Sequence, residues 1–245
     1  MNAATSSPRV VAVTGAGRGL GLLTVEALLA RGDVVVAHYR TPSEDLKRLE
    51  KEHPERVHLV QGDLADVATS EAIVRAATAL GSLDAVVHNA GTAKDSPLVS
   101  MPVEDFDHVL AVNLRSAFLL TKAALRPMMR QKRGRFVYVS SIVAQLGNPG
   151  QAAYAASKAA LQGFSTSVAQ EYARFGVRTV AVAPGMLDVG LTATMRPEVF
   201  EAKKSNSLIG LIDAAGVART IAFLTGPEAD AVNGTVVHAH GGIRY

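Results

Sequence analysis

The sequence predicts an α/β fold, a doubly wound parallel sheet with helices on both faces. Three observations carry this. Short apolar runs alternate strictly with helix-period segments along the chain, the pattern of successive strand–helix–strand units. The runs are nearly continuous in apolar residues, as expected for strands covered on both sides. The residues able to do chemistry fall at or just past the ends of those runs, where open α/β sheets bind ligands.

Seven strands are read, at 9–14, 34–39, 57–61, 84–88, 135–140, 177–183 and 235–239. Helical patterns lie between them at 19–31, 43–52, 66–80, 102–131 with a break, 152–175 and 213–225. The first strand, Arg9-Val-Val-Ala-Val-Thr14, is β-branched and stops at Gly15. The first helix runs through Leu22-Leu-Thr-Val-Glu-Ala-Leu-Leu-Ala30 and closes at Arg31-Gly32. The second strand is Val34-Val-Val-Ala-His-Tyr39. Glu44 and Asp45 stand at the start of the second helix and Asp105 and Asp107 at that of the fourth, as helix-start charges. Asp66 takes the capping position of the third. Phe118, Phe136, Phe164 and Phe175 are expected in the core.

Between the first strand and helix lies Thr14-Gly15-Ala-Gly-Arg18-Gly19-Leu20-Gly21. Strand, glycine turn and helix form the context of a dinucleotide cradle. Glycines let the backbone approach a pyrophosphate, and the helix N-terminus presents free N–H groups to it. The spacing is Thr-Gly-x-x-x-Gly-x-Gly rather than G-x-G-x-x-G, so Gly15, Gly19 and Gly21 are the functional glycines, with the architecture Rossmann-type. An acid at the end of the second strand usually reads the ribose 2′-hydroxyl. Here Tyr39, Arg40 and Thr41 stand there, with Arg18 in the turn. Guanidinium groups bind a 2′-phosphate that a carboxylate would repel, so NADP(H) is predicted over NAD(H).

Tyr154-Ala-Ala-Ser-Lys158 puts a phenol and an ammonium at i and i+4 on one helix face, with Ser141 thirteen residues upstream of the tyrosine. A phenol of pKa near ~10 is a poor acid/base at neutral pH. A nearby ammonium is expected to lower it. Tyr154 is thereby the predicted general acid, and Ser141 the hydroxyl that fixes the reacting oxygen. Ser140 points to the opposite strand face.

Together these motifs resemble the short-chain dehydrogenase/reductase family, from about Val10 to Gly242. They include the glycine turn, Asn89-Ala90-Gly91, Asn113, Ser141, Tyr154, Lys158 and Pro184-Gly185. The stretch from Ser140 to Tyr154 is most similar to that of 3-oxoacyl-acyl-carrier-protein reductases. The resemblance implies one NAD(P)-binding domain over 1–245, with 190–212 as a substrate lid inside it. It implies reduction of a ketone, as a 3-oxoacyl or polyketide-like thioester, to a secondary alcohol. Alternatives are oxidation of a small alcohol or sugar, or a non-catalytic dinucleotide sensor. Asn113, Ser141, Tyr154 and Lys158 are the implied catalytic set, with Lys158 also on the nicotinamide ribose and Asn113 holding a water. Asp63 is implied at the adenine, beside Leu64; Asn89, Ala90 and Gly91 line the cofactor, and Leu187 offers backbone to the carboxamide. Val189 stands where relatives carry a threonine, with Thr192 a substitute hydroxyl.

Net charge is +3, yet no Asp or Glu occurs from His108 to Gln170. That stretch holds Arg115, Lys122, Arg126, Arg130, Lys132, Arg133, Arg135 and Lys158, a basic face suited to an acidic partner. The resembled reductases dock their carrier protein through basic residues at two helix ends, matched by Arg130, Lys132, Arg133 and Arg174. No nucleic-acid motif accompanies the charge. Family members are commonly tetramers, and Phe164 and Val168 are offered as interface positions in a homotetramer or dimer. The chain has no cysteine, which excludes disulfides and thiolate metal sites. His238 and His240 share a strand face without ligand company, so no metal is predicted; His240 stands where relatives carry Asp, and an altered subunit contact is expected. No signal-peptide pattern or membrane-length apolar run is present, and a cytoplasmic location without membrane attachment is expected.

Overall fold

A computed structural model of the chain describes residues 8–187, 189, 200–201 and 207–242. Seven parallel strands form one sheet in the order β3-β2-β1-β4-β5-β6-β7. They are β1 (Val10–Val13), β2 (Val34–Tyr39), β3 (Val57–Gln61), β4 (Ala85–His88), β5 (Gly134–Val139), β6 (Val177–Pro184) and β7 (Thr235–Ala239). The principal helices are α1 (Gly19–Ala30), α2 (Glu44–Glu52), α3 (Val67–Ala79), α4 (Val103–Leu110), α5 (Ser116–Arg130), α6 (Val143–Leu146), α7 (Ala152–Tyr172) and α8 (Ala214–Leu224). The chain moves outward from β1 through β2 to β3, then returns to place β4 on the other side of β1. That reversal opens a crevice at the carboxyl ends of β1 and β4.

Strand alternation sorts the core into two layers. Val11 and Val13 of β1 join Val25, Leu28, Val217 and Ile221 of α1 and α8. Val10 and Ala12 join Ile73 of α3, Leu120 and Ala124 of α5 and Leu161 of α7. Both faces of the sheet are therefore covered, which is why its strands read as unbroken apolar runs.

Several local features differ from expectation. The anticipated break within 102–131 is a π-turn, Ala111–Arg115, that joins α4 to α5. No Gly or Pro lies between Val103 and Arg126, so nothing there stops a helix; an inserted residue widens it instead. The four-residue α6 and the 3₁₀ turn Leu98–Ser100 are too short to leave a periodic signature. Phe118 is 46% exposed, beneath the Lys122 ammonium, whereas Phe136 is core. Phe164 and Val168, offered as interface positions, turn inward: Phe164 meets the Tyr138 ring edge-on and Val168 is buried. Among the described residues no helix is long and apolar enough to cross a membrane.

Three arginines converge on the C-terminal carbonyls of α8. Arg31 donates to Ala222, Arg9 to Thr225 and Arg135 to Leu224. They satisfy groups a helix end leaves unpaired and meet its negative dipole end. Arg135 is therefore not part of the basic surface: it is buried and also holds Asp230 at 2.8 Å. Arg135→Met should lower stability by about 1–3 kcal/mol by orphaning a buried carbonyl. Urea unfolding checks this, and an unchanged midpoint would exclude a stabilising role for that contact.

Candidate active site

The glycine turn is locked to the end of β4. Thr14 Oγ1 accepts the N–H groups of Asn89 (3.1 Å) and Ala90 (3.0 Å). The Asn89 amide donates back to the carbonyls of Thr14 (3.0 Å) and Gly15 (3.2 Å). Gly15 sits at φ +64°, and a Cβ there would lie 2.9 Å from Ala90 Cα. A Cβ on Gly21 would lie 2.1 Å from the Gly15 carbonyl oxygen, so only glycine lets α1 start this close to the turn. Leu20 sends its side chain into the core. Among the described residues no side chain caps α1 and its first turn carries no acid, which leaves its N–H groups and positive dipole end facing the crevice. This cradle fits a pyrophosphate.

Tyr39 ends β2, and Arg40, Thr41 and Arg18 are exposed beside it. A Cβ on Gly17 would come within 3.7 Å of the Thr41 carbonyl and Tyr39 Cβ, so the turn and the β2–α2 loop adjoin. Asp63 is exposed and accepts the Ala65 N–H at 2.9 Å, while Leu64 is core. Asp66 occupies the N-cap of α3 but makes no side-chain capping bond; the local turn bond comes from Asp63 instead. At the far side Pro184 ends β6. A Cβ on Gly185 would lie 2.9 Å from His240 Cα, and Leu187 forms a bridge with Ile212. His238 and His240 stack edge-to-face at 5.3 Å, and His240 accepts the Gly242 N–H. Thr192 lies outside the described residues, as does 190–212 except for Phe200, Glu201 and 207–212. Val189 is partly exposed.

Lys158 and Asn113 meet at Gly91, with Tyr154 beside Lys158 and Ser141 beside Tyr154. A Cβ on Gly91 would lie 3.2 Å from Lys158 Nζ and 3.4 Å from Asn113 Oδ1. Lys158 Nζ is 5.7 Å from the Tyr154 ring centroid, as the i, i+4 spacing requires. It is buried and donates to the Val139 carbonyl at 2.7 Å. Ser140, just past β5, donates to the Lys158 carbonyl at 2.8 Å, so it anchors α7 and leaves Ser141 for the crevice. Ser141 Oγ accepts the Val143 N–H and hydrogen-bonds the Tyr154 phenol.

The electrostatics differ from expectation. Burial pushes the Tyr154 phenol above its ordinary value; the Ser141 hydrogen bond pulls it down, and the Asp95 charge adds to the rise. The ammonium that should lower it is itself desolvated, its pKa brought down to about 8. Among the described residues its three donors meet one hydrogen-bond acceptor, the Val139 carbonyl.

Asn113 is fully buried in the π-turn. Its amide oxygen accepts the Thr92 N–H (2.8 Å), and its nitrogen donates to the Thr92 carbonyl (2.9 Å) and Ser157 Oγ (2.9 Å). The sequence reading missed Thr92 and Ser157, although each directly follows or precedes a motif residue. It also missed Gln151, which donates to Asp95 at 2.8 Å beside Tyr154.

The chain is similar to known proteins over most of its length. The family model described as short chain dehydrogenase matches residues 9–199. The 3-oxoacyl-acyl-carrier-protein reductase of Vibrio cholerae is 35% identical, over 96% of this chain and 97% of its own. Nodulation protein G of Rhizobium is 37% identical, covering 96% of each chain. The 3-oxoacyl-acyl-carrier-protein reductase of Escherichia coli is 33% identical, over 96% of this chain and 97% of its own.

Because the folded pKa of Lys158 lies below its unfolded value, the buried ammonium destabilises the fold fully below about pH 8, and the penalty fades as pH rises toward the ordinary lysine value. Lys158→Met should therefore raise stability near neutral pH by about 1–3 kcal/mol, a gain that disappears near ~pH 10.5. Urea unfolding at both pH values checks this; a gain independent of pH would contradict it.

Proposed function

The chain belongs to the short chain dehydrogenase family, a family of oxidoreductases that use a nicotinamide dinucleotide, and we propose that it is an NADPH-dependent reductase that turns a ketone into a secondary alcohol. The observation that carries this is the chain of neighbours Ser141, Tyr154, Lys158 and Asn113, the last two meeting at Gly91, beside a glycine cradle that fits a pyrophosphate. Bound NADPH supplies the hydride that adds to the carbonyl carbon.

The protein's own groups handle the oxygen and the proton. Ser141 donates to the carbonyl oxygen and fixes its position opposite Tyr154. Tyr154 gives that oxygen its phenolic proton, which completes the alcohol. A phenol raised by burial stays protonated across neutral pH and serves as the acid. Lys158, charged below about pH 8 and close to the Tyr154 ring, stabilises the phenolate left behind and returns a proton to it. Asn113 has both amide donors engaged, which leaves one lone pair of Oδ1 for a water beside Lys158.

Gly15, Gly19, Gly21 and the N–H groups of α1 hold the pyrophosphate. Arg18 and Arg40 take the 2′-phosphate, next to Tyr39 and Thr41, in the absence of any acid at the end of β2. Asp63 and Leu64 border the adenine; Asn89, Ala90, Pro184, Gly185 and Leu187 line the nicotinamide half. The relatives named for acyl-carrier-protein substrates support a 3-oxoacyl thioester, with a polyketide-like chain as a related substrate. Arg130, Lys132 and Arg174 provide a basic landing for an acidic carrier; Arg133 is engaged with Asp84. A homotetramer fits the exposed rings of Phe118 on α5 and Phe223 on α8.

The test is oxidation of reduced nicotinamide in the presence of acetoacetyl-CoA, with NADPH and NADH in parallel. Turnover with NADPH is expected, and Arg40→Asp should shift the preference toward NADH by about tenfold or more. Equal use of both cofactors by the unaltered protein would overturn the NADPH assignment. Arg130→Glu with Lys132→Glu should raise KM for a carrier-bound substrate more than for its CoA thioester. An equal effect on both would remove the carrier-docking role.

A further inference from the structure

His38, the penultimate residue of β2, is almost fully buried, and no part of the chemistry above uses it. Its ring joins two turns that border the crevice. Nδ1 accepts the Gly15 N–H at 3.3 Å, and Nε2 lies 3.1 Å from the Gly62 carbonyl oxygen. An amide N–H only donates and a carbonyl oxygen only accepts, so the ring is neutral with its proton on Nε2. The backbone around it repeats the stitching. The His38 carbonyl accepts the Ala16 N–H at 2.8 Å, and the Tyr39 carbonyl accepts the Gly62 N–H at 3.1 Å. On its far side Gly62 is pinned by Thr69, whose Oγ1 would stand 2.4 Å from a Cβ there.

We propose, on the footing that the crevice takes a dinucleotide, that His38 is a positioning residue for the cofactor. In its neutral form it fixes the separation between the glycine turn at Gly15 and the Gly62–Asp63 turn, and protonation releases that hold. A proton on Nδ1 would set two donors face to face, so the bond to Gly15 must break. Gly15 is held at φ +64° against Ala90, and a shift there displaces the start of α1 with it. The Gly62 carbonyl and then the Asp63 carboxylate favour the charged form, and His88 from β4 is buried and neutral, its own pKa brought down to about 3 by burial. Burial of His38 outweighs both Gly62 and Asp63 and takes its pKa below the ordinary histidine value. The hold is thus present at neutral pH and is lost on acidification below the usual histidine range.

The test is binding of NADP⁺, which survives acid, to the full-length protein by calorimetry between about pH 8 and about pH 5. Wild-type, His38→Ala and His38→Asn are compared, with ¹⁵N signals of the imidazole as a second readout. At the upper pH, His38→Ala should bind about tenfold more weakly. His38→Asn, whose amide oxygen stands where Nδ1 does, should recover most of that loss. Wild-type should lose more affinity on acidification than His38→Asn, which removes the titration of the phosphate itself from the comparison. The imidazole should show an unprotonated Nδ1 at the upper pH. Coincident pH profiles for all three proteins, or a protonated Nδ1 at the upper pH, would overturn the role of His38. Failure of wild-type to bind either NADP⁺ or NAD⁺ at the upper pH would instead overturn the dinucleotide reading, and the inference with it.

Discussion

The buried ammonium of Lys158 is the interaction on which the rest of the site depends. It is held by the Val139 carbonyl at 2.7 Å, while the Lys158 carbonyl is held by Ser140 at 2.8 Å. These two bonds tie one turn of α7 to the last residues of β5. Tyr154 and Ser141 are placed relative to that tie. Tyr154 lies one helical turn before Lys158, and Ser141 follows Ser140. The tie costs stability, because a charge with few partners is kept out of water. A structural core would gain from an apolar residue there, so the lysine's persistence in this burial is a cost of the kind active sites carry.

A second constraint couples the cradle to this catalytic face. Four hydrogen bonds join Thr14 and Gly15 at the end of β1 to Asn89 and Ala90 at the end of β4, and Gly91 follows at once with Lys158 and Asn113 over it. The glycine turn and the groups proposed to handle the proton are therefore mounted on neighbouring strand ends of one sheet. No loop rearrangement is needed to bring them together. The reversal of strand order between β1 and β4 is the topological reason the crevice lies there.

Much of this was legible in the sequence, for physical reasons. Continuous apolar strands and glycine punctuation give strong signals, so all seven strands fall close to their expected bounds. The i, i+4 relation of Tyr154 and Lys158 follows from helix geometry alone. What sequence could not supply were properties of packed surroundings. The direction of the Tyr154 shift depends on burial and on Asp95, which lies far off in sequence. The π-turn at Asn113 has no breaker residue to announce it. Arg135 reads as surface charge until the carbonyls of α8 are seen around it. His38 looks like one more strand residue, because its two partners come from turns that only the sheet brings together.

The central claim is that the Tyr154 hydroxyl delivers the proton while the cradle holds the cofactor independently. The most direct measurement is turnover of a ketone substrate by Tyr154→Phe, alongside its affinity for NADPH. The account predicts a fall in kcat of about 10²-fold or more, with NADPH binding close to that of the unaltered protein. Retained turnover in the phenylalanine variant would contradict it.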